Sequence, residues 1–166
     1  MSANANVSDS ARALLRHMLA TLAYRAAKTV RGAPEEFGSF RIAARTRTPG
    51  EIVAHMGDLM EWATTMAQGR PHWRTAPAAD WKNDVGRLFA AVTSLDAAVA
   101  GDAPIETALL YQLLQGPIAD ALTHTGQLAL LRRLAGAPIK GENFPDARIV
   151  AGQTGLDQPP PGQEFG

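Results

Sequence analysis

The stretch Thr48-Pro-Gly-Glu-Ile-Val-Ala-His-Met-Gly-Asp-Leu-Met-Glu-Trp62 reads as the opening of an amphipathic helix. Thr48 with Glu51 three residues later forms a capping box, in which the threonine hydroxyl accepts from the Glu51 amide and the glutamate reaches back. Pro49 stands at the first helical position, where its missing N–H costs nothing. Ile52, Met56, Leu59, Ala63 and Met66 then recur at three- and four-residue steps and make one apolar stripe. Gly69-Arg70-Pro71 ends the pattern. A helix with one such stripe must bury it against other elements.

Working outward, the same period recurs on both sides. Ser8 or Ser10 can cap a first helix that runs to about Arg31, with Leu14, Leu15, Met18, Leu22 and Val30 as its apolar positions. Gly32-Ala33-Pro34 stops it, and Phe37 and Phe40 are the anchors of the loop that follows. A third helix spans about Asp80 to Ala100, with Val85, Leu88, Phe89, Val92, Leu95 and Val99 at helical spacing. A short helix is expected from Ile105 to Leu114. Gly116-Pro117 then restarts the chain into a fourth long helix ending near Ala135 and Gly136, with Ala121, His124, Leu128, Leu131 and Ala135 facing inward. Arg132 and Arg133 lie in its last turn, where cations suit the helix dipole. Four long amphipathic segments without periodic strands predict an all-α fold, an antiparallel four-helix bundle over residues 8–136. The long first loop and the insert before the fourth helix argue against tight up-down-up-down turns. Residues 137–166, rich in proline and glycine, predict an irregular C-terminal tail packed on the bundle and loose from Gln158.

Composition narrows the function classes. The chain has 166 residues, 46% of them apolar, which suffices for a core without staples. Lysine plus arginine number 16 and aspartate plus glutamate 16, so no electrostatic footprint points to nucleic acid or to an anionic membrane. Cysteine is absent, which excludes disulfides, thiolate ligands and a nucleophilic thiol supplied by this chain. No apolar run approaches the ~20 residues of a membrane span. The first residues have neither a charged nor an apolar signal region, and a cytoplasmic location is expected.

The fourth helix carries Asp120-Ala-Leu-Thr-His124. Residues four apart lie one turn apart on one face, so this carboxylate and imidazole can share a metal ion. They sit beside Ala121, Leu128 and Leu131, at or near the core, where a carboxylate needs a partner. The alternative is a plain hydrogen bond from His124 to Asp120. A third ligand must come from another helix, and His55 is the candidate. Asp58, three residues on, is placed to orient His55, with a solvated surface position as the alternative. His55, Asp120 and His124 form a two-histidine, one-carboxylate set with open coordination positions, suited to zinc, nickel, iron(II) or manganese. His17 and His72 are weaker candidates, the second in a loop able to cover one mouth of the bundle. Arg41, Arg45 and Arg47 are candidates for an anionic substrate, or simply a solvated loop. Trp62 and Trp73 are candidates for a pocket wall, with core packing the default for Trp62. No phosphate loop and no nucleophile elbow is present.

Thr48–Trp62 and the segment Gly116-Pro-Ile-Ala-Asp-Ala-Leu-Thr-His-Thr-Gly-Gln-Leu-Ala-Leu-Leu-Arg-Arg-Leu-Ala-Gly136 together resemble the DinB-like superfamily, which includes bacterial thiol-dependent transferases. The resemblance extends to about Gly136 and leaves the tail out. It implies a four-helix bundle, a divalent metal at one end and frequent homodimers. It also implies metal ligation by one histidine on the second helix and two, four apart, on the fourth. His55 and His124 match two of these positions, and Asp120 stands where the third histidine is usual. Gln127, in the Gly-Gln step after His124, matches a common feature and is expected beside the ligand or in the pocket. Three functions follow as expectations. The first is a metal-dependent enzyme acting on a small-molecule substrate with a low-molecular-weight thiol, or on water. The second is a non-catalytic metal- or ligand-binding stress protein. The third is a structural, self-associating homodimer.

Overall fold

The computed structural model describes residues 2–77 and 79–166, with side chains from residue 7 onward. It is all-α apart from one short antiparallel ribbon. Helix α1 spans Ser2–Val30, α2 Pro49–Ala67, α3 Trp81–Ala100, α4 Thr107–Leu113 and α5 Ala119–Leu134. Strands β1, Gly141–Glu142, and β2, Glu164–Phe165, pair in the tail. The expected start of α1 at Ser8 or Ser10 is corrected to Ser2; no glycine or proline stands between to stop the helix. Leu14, expected inside, is 57% exposed, and Leu15, Leu19, Leu22, Ala26 and Val30 form the buried stripe instead.

The capping box of α2 is present: the Glu51 amide donates to Thr48 Oγ1 at 3.1 Å, and the Thr48 amide donates to Glu51 at 2.7 Å. Asp80 caps α3 by accepting from the Asn83 amide at 2.9 Å. Between α4 and α5 the expected restart at Gly116-Pro117 is replaced by a π turn, Leu114–Ile118, so the two helices form one rod. Proline lacks the N–H an α-helix would use and its ring crowds the preceding turn; a wider turn accommodates both.

Long-range contacts fix the directions of the four rods. Arg12 donates to the Val99 and Gly101 carbonyls, and Arg16 holds Asp96 with two bonds at 2.9 and 3.0 Å, so α1 runs opposite to α3. The buried Arg132 guanidinium, near the end of α5, reaches the Thr29 and Arg31 carbonyls at the end of α1; these two therefore run alike. Helices α2 and α3 also run alike. Arg87, in the second turn of α3, bonds the Ala54 carbonyl and Asp58 in the early turns of α2. The expectation of antiparallel neighbours is corrected here. Residues 68–80 reach about 43 Å when extended, more than the roughly 28 Å length of α2, so the chain can return before starting α3.

Helix α2 packs on α3 and α5, and α1 packs on the same two. Their stripes share one core that includes Phe37, Met56, Met60, Leu88, Leu95, Leu113, Ile118 and Leu128. Gly57 leaves room on α2 for the Arg87 guanidinium, whose Cζ would stand 2.9 Å from a Cβ there. The tail lies along α1. Glu142 is buried, accepts from Tyr24 Oη at 2.6 Å and from the Gly162 amide at 3.1 Å, and sits 3.0 Å from Lys28 Nζ. The chain end expected to hang loose from Gln158 is held: Arg31 donates to the Gln158 carbonyl, and β2 pairs with β1.

Candidate metal centre

His55 projects from the second turn of α2, and Asp120 and His124 from the first turns of α5. Because these helices pack together, one ligand atom from each residue lies within 4.8 Å of the other two. It is the only such group among the described residues. His55 Nε2 is 3.6 Å from one Asp120 oxygen, and His124 Nε2 is 3.5 Å from the other. The imidazole rings are 5.1 Å apart and nearly perpendicular, at 85°.

These separations are longer than hydrogen bonds, which for N–H···O fall at about 2.7–3.2 Å. Each is close to the ~3.4 Å edge of a tetrahedron whose corners lie about 2.1 Å from a central ion, though each histidine faces a different carboxylate oxygen. Donor chemistry supports the same fit. His124 Nδ1 lies 2.8 Å from Gln127 Oε1, an oxygen that only accepts; with Nδ1 donating there, the neutral ring presents its Nε2 lone pair toward Asp120. In that neutral form two acceptors face one another, an arrangement a cation between them satisfies. Fixing the tautomer through the far nitrogen is what a partner behind a ligating histidine does. Gln127 thus stands beside His124, on the side away from Asp120.

The three residues differ in exposure. His124 is buried, His55 half-buried, and the Asp120 side chain is 47% exposed. Asp120 therefore sits at the rim, a correction to its expected place at or near the core. The His55 pKa is lowered, chiefly by burial and further by the positive charge of Arg47 and the neighbouring His124 imidazole, with Asp120 opposing. A lowered value keeps the imidazole neutral, as a ligand must be.

Asp58 does not orient His55. It is 3% exposed, neither solvated nor behind the histidine; its Oδ1 accepts from Arg87 at 2.9 Å and from the Ala76 amide at 3.2 Å. Its part is to tie the segment after α2 back onto the helix. That segment leaves through Gly69 (φ 72°), a left-handed position natural for glycine, and the His72 amide donates to Thr65 Oγ1 at 3.0 Å. The result places the Trp73 indole edge-on to His55 at 6.1 Å and to Trp62 at 5.7 Å. Trp62 is half-buried at this wall, not in the core. His17 and His72 are exposed and outside the cluster. The Trp73–His55 contact had no signal in helical periodicity, because Trp73 lies in an irregular segment. Arg41 is engaged by Glu51, whereas Arg47 contributes its charge near His55.

Comparison with family models, with curated proteins and with solved structures finds no match to this chain.

Proposed function

We propose that the protein is a divalent-metal-dependent enzyme of the DinB-like type, a four-helix bundle in which His55, Asp120 and His124 hold the ion. The reading rests on one observation: three ligand atoms from two helices converge within 4.8 Å, with the far nitrogen of His124 engaged by Gln127. Two neutral imidazoles and one carboxylate suit zinc, nickel, iron(II) or manganese, and leave coordination positions open. When bound there, such an ion supplies Lewis acidity that lowers the pKa of a small-molecule thiol or of water. The chain's own residues do the rest. Asp120, at the rim, offsets the ion's charge. Trp73 and Trp62 form an aromatic wall beside His55, and Arg47 adds a positive charge on the approach to it. The thiol comes from a cosubstrate, since the chain has no cysteine. The same reading makes the protein a cytoplasmic homodimer, which sedimentation of the purified chain checks.

The test is elemental analysis of protein purified without a histidine tag or chelator, beside His55→Ala, Asp120→Ala and His124→Ala. Near-stoichiometric metal in the wild type, lost in all three variants with unchanged circular dichroism, is expected. Metal-dependent turnover with thiol cosubstrates then separates an enzyme from a non-catalytic metal carrier. A wild type that takes up none of the four metals on reloading sinks the reading.

A further inference from the structure

A second polar site lies at the N-terminal end of α2, one turn before His55, on residues the metal centre does not use. The 3-10 turn Glu35–Ser39 and the first turns of α2 and α3 enclose a cleft of about 520 Å³. Its walls include Glu35, Arg41, Glu51, Asp80, Trp81 and Asp84.

Asp84 is 2% exposed. Its Oδ2 accepts from the Ala79 amide at 3.2 Å, while its Oδ1 is shielded from solvent and has no hydrogen-bond partner among the described residues. Taking a carboxylate out of water without a cation or a full set of donors is costly, so an empty lone pair at such an oxygen marks a missing donor. The described residues supply none. The one cation in the walls, Arg41, is held by Glu51 through contacts of 3.1 and 3.2 Å. The Asp80 oxygens accept from the Asn83 amide and side chain at 2.9 and 2.7 Å, neutral donors that leave its charge in place. Glu35 is exposed at the rim and forms no ion pair among the described residues. Three carboxylates, Glu35, Asp80 and Asp84, thus face one cleft without a cationic partner. The positive ends of α2 and α3 account for part of this charge, but they provide no hydrogen for Asp84 Oδ1.

We propose that this cleft binds a small organic cation, a primary ammonium compound, which donates to the buried carboxylate of Asp84. A bare metal ion fits poorly, because the only convergent set of three ligand atoms among the described residues is the one at His55, Asp120 and His124. A cation that brings its own N–H groups needs no such convergence: one hydrogen meets Asp84 and its charge satisfies Glu35 and Asp80. Trp81, packed edge-on to Phe37 at 5.4 Å, gives the cleft a rigid aromatic wall for the methylene chain or the charge itself.

The experiment is isothermal titration of the full chain with 1,4-diaminobutane at low ionic strength, with magnesium and calcium titrated in parallel. One-site binding is expected, weakened at least tenfold by Asp84→Asn, several-fold by Glu35→Gln, and progressively by added sodium chloride. His124→Ala should bind as the wild type does, which separates this site from the metal centre. Glu35 is exposed, so its variant reports on the site even if Asp84→Asn perturbs folding. The proposal is overturned by a wild type that gives no binding at millimolar diamine, or by equal affinity in Asp84→Asn and Glu35→Gln. It is also overturned if calcium displaces the diamine at lower concentration, which would make the ligand an inorganic ion.

Discussion

At the scale of single residues, the candidate centre depends on a contact that touches no ligand atom facing the ion. Gln127 Oε1 lies 2.8 Å from His124 Nδ1 and thereby favours a proton on that nitrogen. Replacing it with alanine frees the ring to rotate and to adopt the other tautomer, while the exposed position of Gln127 leaves the core untouched. Partners of this kind are worth about 10–100-fold in metal affinity. Gln127→Ala should therefore bind zinc roughly that much more weakly in competition with a chromophoric chelator, with an unchanged melting curve for the metal-free protein. Glutamate at the same position keeps an acceptor and should restore most of the affinity. Equal affinity in wild type and alanine variant would mean that the amide is a bystander. Gln127 was readable only through the resemblance, in the Gly-Gln step after His124. Asp58, three residues after His55, misled, because Arg87 from another helix competes for it, and that partner is invisible to spacing within α2.

Elements show the same division between local and distant causes. Helices α2 and α3 are legible because their signals are local: a threonine–glutamate box, an aspartate cap, and stripes whose period is set by helix geometry. The joined rod of α4 and α5 was not, since Gly116-Pro117 ends an α-helix in isolation and only tertiary packing selects the π turn. The tail is least legible. Its strands are separated by some twenty residues, and its anchor, Glu142, is defined by Tyr24 and Lys28 on α1. That anchor has a pH signature. Hydrogen bonds from Tyr24, Lys28 and Gly162 outweigh burial, the largest single influence, and hold the Glu142 pKa below its ordinary value. Because the folded value is the lower one, its stabilisation is complete above the ordinary carboxylate range and is lost as the pH falls through the folded value. Tyr24 gives the opposite limb: pushed up to about 12 by burial and by Glu142, it stabilises below its ordinary value and ceases to do so as the pH rises through about 12. Urea unfolding should thus show Glu142→Gln about 1–3 kcal/mol less stable than the wild type at pH 7. The difference should shrink toward zero under acid conditions. A gap that stays constant into acid would show that the carboxylate's charge is not what holds the tail.

For the whole molecule, the candidate centre joins two rods that the rest of the structure couples only moderately. Helix α2 makes its most extensive contacts with α3, which runs alongside it, and far fewer with α5. His55 lies on one side of that thinner seam, and Asp120 and His124 on the other. In the unfolded chain His55 and the α5 pair are separated by more than sixty residues, so the three-ligand set exists only when the rods are packed. An ion held by it binds the folded state and not the unfolded one, and stabilises the fold by about 2.7 kcal/mol at a free concentration one hundred times its dissociation constant. For a chain of this size each kcal/mol moves the midpoint by roughly 2–4 °C, so loading should raise Tm by about 5–11 °C. Differential scanning calorimetry of chelator-treated and zinc-reloaded protein measures this directly. Asp120→Ala isolates the cause: its side chain is largely at the rim, so the metal-free variant should melt close to the metal-free wild type, yet gain little from zinc. If wild type and Asp120→Ala gain equally, the ion binds elsewhere. If neither gains, the two histidines and the aspartate are a polar seam between rods, and α2 is held by its packing on α3 alone.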